Sequence, residues 1–73
     1  MSEQVSIFIE KGFEELYKEA LKKCLQRIGG RFTGIHNGGM GDTYIFTFPT
    51  IEVATEFFEE VASNTQLQPE FVP

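Results

Sequence analysis

At 73 residues the chain is too short for two separate cores, so residues 1–73 are expected to form a single domain, one helical layer on one sheet. Hydrophobic residues at 41% and charged residues at 23% are the proportions of a folded globule and exclude a disordered tail. A formal charge of −5 repels phosphate backbones and anionic lipid, which disfavours nucleic-acid partners, and no apolar run is long enough to cross a bilayer.

Residues 5–10 alternate, with Val5, Ile7 and Ile9 on one side and Ser6, Phe8 and Glu10 on the other, which predicts a strand half-buried through its β-branched residues. From about Gly12 the period lengthens. Phe13, Leu16, Tyr17, Ala20, Leu21, Cys24, Leu25 and Ile28 fall on one helical stripe. Glu14 and Glu15 at its start and Lys22, Lys23 and Arg27 toward its end follow the helix dipole, and Gly29 and Gly30 supply a left-handed stop.

A second strand is expected over residues 31–36, weakened by Gly34, followed by a glycine-rich hairpin through Asn37, Gly38, Gly39, Met40, Gly41 and Asp42. The third, over residues 43–48, sets Tyr44, Phe46 and Phe48 toward the helices and Thr43, Ile45 and Thr47 away from them. Pro49 ends it. Thr50 caps a second helix over residues 51–62, whose apolar side is Ile51, Ala54, Phe57, Phe58 and Val61, with Asn64 as its stop. Residues 67–72 read as a last, short strand at a sheet edge, where Pro69 is tolerated.

Strand, helix, hairpin, helix, strand with right-handed crossovers closes most naturally as an α+β, ferredoxin-like βαββαβ sandwich. Its four-stranded antiparallel sheet has the order 4-1-3-2 and two helices on one face. The first and third strands are then central neighbours, and the open face gathers Phe8, Ile45 and Ile35 among Thr33, Thr43, Ser6 and Thr47. So apolar a face without helices reads as a contact surface for a protein partner or a second copy of the chain.

Ile7, Phe8 and Ile9 resemble the first-strand motif of the RNA-recognition-motif family, with Phe8 at its base-stacking position. That resemblance implies a single-stranded RNA or DNA binder using Phe8 for stacking and Arg31 or Lys23 for phosphate. The third strand departs from the pattern: Thr43 and Ile45 stand where the family has two exposed aromatics, and Asp42 where it has a basic residue. Nucleic-acid binding is therefore the alternative, and docking of a protein the leading expectation.

Catalytic, cofactor and metal sites are not expected. His36 beside Asp42 is the one acid/base pair the hairpin could assemble, and no nucleophile accompanies it. The glycine-rich hairpin joins two strands and opens no helix, so it lacks the frame of a phosphate loop. Glu56, Glu59 and Glu60 form a solvated acidic surface without histidine or cysteine. Acylphosphatases and heavy-metal carriers share the fold, but the former need an arginine and the latter paired cysteines after the first strand, where Lys11 and Gly12 stand. Cys24, the only cysteine, excludes an internal disulfide and makes a reducing cytoplasm the expected compartment.

Overall fold

Alternation and helical period carry straight through to the architecture. A computed structural model describes residues 3–73, with β1 (Glu3–Glu10), α1 (Glu14–Ile28), β2 (Arg31–Asn37), β3 (Gly41–Phe48), α2 (Ile51–Asn64) and β4 (Glu70–Phe71) in chain order. All strand pairs are antiparallel and the sheet runs β2-β3-β1-β4, the expected 4-1-3-2 order seen from the other edge. The arrangement is the ferredoxin-like α+β sandwich.

One face of the sheet carries the core. Val5, Ile7 and Ile9 of β1 and Phe46 and Phe48 of β3 meet Leu21 and Cys24 of α1 and Ala54, Phe57 and Val61 of α2 in a single buried cluster. Phe57 is its hub, with its ring centroid 5.3 Å from that of Phe46 and 4.8 Å from that of Phe48, spacings at which tilted rings attract. The spacing 54, 57, 61 places these residues on one stripe of α2, the side that packs against β1 and β3.

Local chemistry sets the ends of the helices. Thr50 is extended and its hydroxyl accepts from the Val53 N–H, satisfying a donor that the first turn of α2 leaves free. Gly29, at φ 93°, caps α1 in the left-handed region and donates its N–H to the Leu25 carbonyl. Gly30 has a different task. A β-carbon there would overlap the buried Phe48 ring, so the turn into β2 passes directly over the core.

Three expectations are corrected. The α1 stripe is narrower than its pattern: Leu16 is 67% exposed and Phe13 and Ala20 are also exposed, because Leu16 and Ala20, four residues apart, lie on a flank of the helix turned away from the packed Tyr17, Leu21, Cys24 and Leu25. The last strand is only Glu70–Phe71, paired with Val5 and Ser6, rather than residues 67–72. Most consequential is a β-bulge in β2 between Phe32 and Gly34, where one extra residue reverses the parity of everything after it.

Candidate functional site

The side of the sheet away from the helices is built in rows set by the strand register. Phe8 lies opposite Thr43, which lies opposite His36; Ser6 opposite Ile45, opposite Gly34; Gln4 opposite Thr47, opposite Arg31. Glu70 extends the middle row beyond Ser6. Phe8, Ile45, Thr43 and Thr33 thus share the open face, as expected.

Ile35 does not. Because Thr33 is the extra residue of the bulge, Ile35 pairs with Tyr44 on the helix side, and His36 takes the open-face place beside Thr43. There Ile35 is 44% exposed and Phe32 50% exposed, with the Phe32 ring 6.0 Å from Tyr44 and 5.7 Å from Phe46. The helical layer stops short of β2 and leaves an apolar overhang. Gly34 inside a strand pattern was the signal for the bulge, since a glycine there commonly marks one.

Four polar side chains of the open face, Gln4, Ser6, Thr33 and Thr47, make hydrogen bonds there. The Thr33 and Thr47 hydroxyls are 2.8 Å apart, Thr33 also reaches the Ile45 carbonyl at 3.4 Å, Gln4 donates to Thr47 at 3.5 Å, and Ser6 donates to the Glu70 carbonyl at 3.5 Å. These bonds link neighbouring strands across the lower two rows. Phe8, 46% exposed, stands above them against Gly41, where a β-carbon would come within 2.8 Å of the ring tip.

The acid/base pair is not assembled. Asp42 lies opposite Asn37 and Ile9, adjacent in sequence to Thr43, whereas His36 lies opposite Thr43; alternation sends the two side chains to opposite faces. Nor do the basic residues gather. Arg27 is ion-paired with Glu60 across the helices, Lys23 borders the cleft between the helices, and Arg31 is on the sheet. Among the described residues no three or more histidine, cysteine or acidic side chains are grouped to hold a metal ion.

A cleft of about 530 Å³ opens beside the Phe8 row, between β1 and the segment leading into β4. Ser6, Phe8, Glu10, Thr43 and Glu70 border it on the open-face side, and Phe13, Tyr17 and Leu67 on the helical side. No sequence pattern marked it. It arises because the chain parts from β1 before Glu70, so most of the eight-residue β1 has a neighbour on one side only.

Cys24 is buried, and desolvation first, then the Glu60 carboxylate, push its thiol above the ordinary value in spite of the nearby Arg27. Only the thiolate attacks thiol reagents. Labelling by a maleimide is therefore expected to wait on opening of the fold and to accelerate with urea in step with unfolding. A native-state rate equal to that of a free cysteine peptide would contradict the burial.

Burial, then the charges of Asp42, Glu14 and Glu15, likewise push the Tyr44 phenol up. Among the described residues no helix is long and apolar enough to cross a membrane. Comparison with protein-family models, curated proteins and solved structures finds no match for this chain.

Proposed function

We propose that the chain is a non-enzymatic docking module, a small binding or regulatory protein that engages another protein through its open sheet face with Phe8 and Ile45 as anchors. The observation that carries this reading is the half-exposed Phe8 ring, held against Gly41 one strand from Ile45 on a face where the Gln4, Ser6, Thr33 and Thr47 side chains already have hydrogen-bond partners. An aromatic ring beside an aliphatic residue offers apolar area to a partner, and the hydrogen-bonded side chains around Ile45 lower the desolvation cost of covering that part of the face. The separation of His36 from Asp42 supports a role without catalysis.

The experiment is capture of partners from the source cell's lysate by the native protein, Phe8→Ala, Ile45→Lys and, as a helix-side control, Ile35→Lys. Loss of the same captured protein in the first two and retention in the third is expected. Retention in all three would remove the open face from the reading. Light scattering of native protein and Ile45→Lys separates a second copy from a different partner.

A second reading has one specific observation in its favour: the bulge sets His36 and Arg31 on the same face as Phe8. An aromatic flanked by cationic or hydrogen-bonding groups suits a single-stranded base and its phosphate. One stacking ring and a net charge of −5 weigh against it. Salt-sensitive binding of labelled single-stranded RNA that is lost in Phe8→Ala would make this second reading the better one.

A further inference from the structure

Among the described residues, the edge of β1 beside the cleft has backbone groups without partners. Lys11 donates to Met40 on the β3 side, and alternation along the ladder then directs Ile9, Ile7 and Val5 to β3 and Glu10, Phe8, Ser6 and Gln4 to the opposite side. Gln4 and Ser6 meet β4 there: the Gln4 carbonyl accepts from Val72, and Ser6 lies opposite Glu70. Continuing that register would set Gln68 opposite Phe8. Instead the chain has turned away and the cleft occupies its place, so the N–H and C=O of Phe8 and the N–H of Glu10 face open space; the Glu10 carbonyl is taken by Phe13.

An exposed strand edge is a template for another strand. The two sides of this cleft differ chemically. Toward the open face it is bordered by the carboxylates of Glu10 and Glu70, and toward the helices by Phe13, Tyr17 and Leu67. A strand lying along the edge sends alternate side chains to those two sides. Complementarity therefore calls for basic residues alternating with apolar ones.

We propose that the cleft takes an extended segment of a partner protein, added as a strand along β1 at Phe8 to Glu10, with lysine or arginine facing Glu10 and Glu70 and aliphatic residues on Phe13, Tyr17 and Leu67. The proposal rests on the docking reading above and deepens it by naming the partner's chemistry. The open face and the edge meet at Phe8, so one partner can occupy both. The acidic charge of the whole chain steers such a segment toward the cleft.

The test is backbone amide exchange on isotope-labelled protein, with capped peptides of alternating valine and lysine or alternating valine and glutamate. In free protein the amides of Ile7 and Ile9 are expected to be protected and that of Phe8 to exchange rapidly. Saturating valine–lysine peptide slows Phe8 exchange by about tenfold or more, a protection that pairing confers and a loose electrostatic contact does not. The valine–glutamate peptide leaves it unchanged, and Glu10→Lys combined with Glu70→Lys reverses the preference.

Three results would overturn the proposal: a Phe8 amide already protected in the free monomer, which means that the chain's own segment closes the cleft; protection that grows only with protein concentration, which means a second copy; or equal effects of both peptides. Ile45→Lys keeps the peptide effect if the edge acts as described, even where that variant no longer captures the protein partner. Failure of the edge and failure of the open-face reading are thereby read separately.

Discussion

Phe57→Ala is expected to remove a large share of the protein's stability. The side chain is fully buried and touches both aromatic residues that β3 contributes to the core. Truncating a buried phenylalanine costs about 3–5 kcal/mol, from the lost transfer free energy and the cavity left behind. A chain of this length has a total stability of about 4–11 kcal/mol, from the usual yield per residue. The melting temperature should therefore fall by about 12–40 °C.

Two variants make the test specific. Phe57→Leu keeps most of the volume and should cost less than about 1.5 kcal/mol if rotamers nearby can adjust. Leu16→Ala, on the exposed first turn of α1, should change stability by no more than about 0.5 kcal/mol despite its place in the same apolar pattern as Leu21 and Cys24. Thermal melts followed by circular dichroism check all three. A Leu16→Ala loss as large as that of Phe57→Ala would mean that the Leu16 side chain is packed after all.

Leu16 also shows where sequence reasoning succeeds and where it stops. Element order, sheet order and the buried sides of β1 and β3 were legible because alternation and helical period report directly on which side is apolar. How wide a stripe of a helix the neighbouring layers cover is a tertiary property, and Leu16 and Ala20 lie on the uncovered flank of α1 while Tyr17 and Leu21 beside them are packed. On α2 the same reading held for Ala54, Phe57 and Val61, which lie over the sheet, and failed for Ile51, which is 47% exposed at the start of the helix.

The site was only half legible, for a different physical reason. Phe8, Thr43 and Ile45 were set by the parity of two regular strands, and both strands are regular. Ile35 was misplaced because parity beyond a bulge inverts, and a single extra residue at Thr33 exchanged it with His36. The exchange alters the chemistry of the open face, which loses an aliphatic residue and gains an imidazole. The cleft beside β1 was invisible, because the early ending of β4 depends on where the chain parts from its neighbour.

Gly41→Ala is expected to damage fold and site together. Gly41 lies opposite Glu10 at the start of β3, and its constraint is close approach, since its φ is not positive. A β-carbon there would overlap the Ile9 carbonyl oxygen and come within 2.8 Å of both Glu10 Cα and the Phe8 ring. Two of those neighbours are backbone of the paired strand and cannot yield unless the strands separate. Overpacking of this kind costs about 1–3 kcal/mol, or about 4–24 °C in melting temperature for a domain of this size.

The local consequence is more diagnostic than the melt. If β1 and β3 part at this end, the Lys11 amide loses its bond to Met40 and its exchange protection, and Phe8 loses the surface that holds its ring. Partner capture through the open face should then weaken in Gly41→Ala even at temperatures where the variant is fully folded. Gly39→Ala is the matched control: it sits in the same hairpin with nothing near its would-be β-carbon, and should be neutral or stabilising by about 0.4–1 kcal/mol through the unfolded chain. Equal melting temperatures and equal capture for the two variants would show that the bare backbone of Gly41 does not position Phe8.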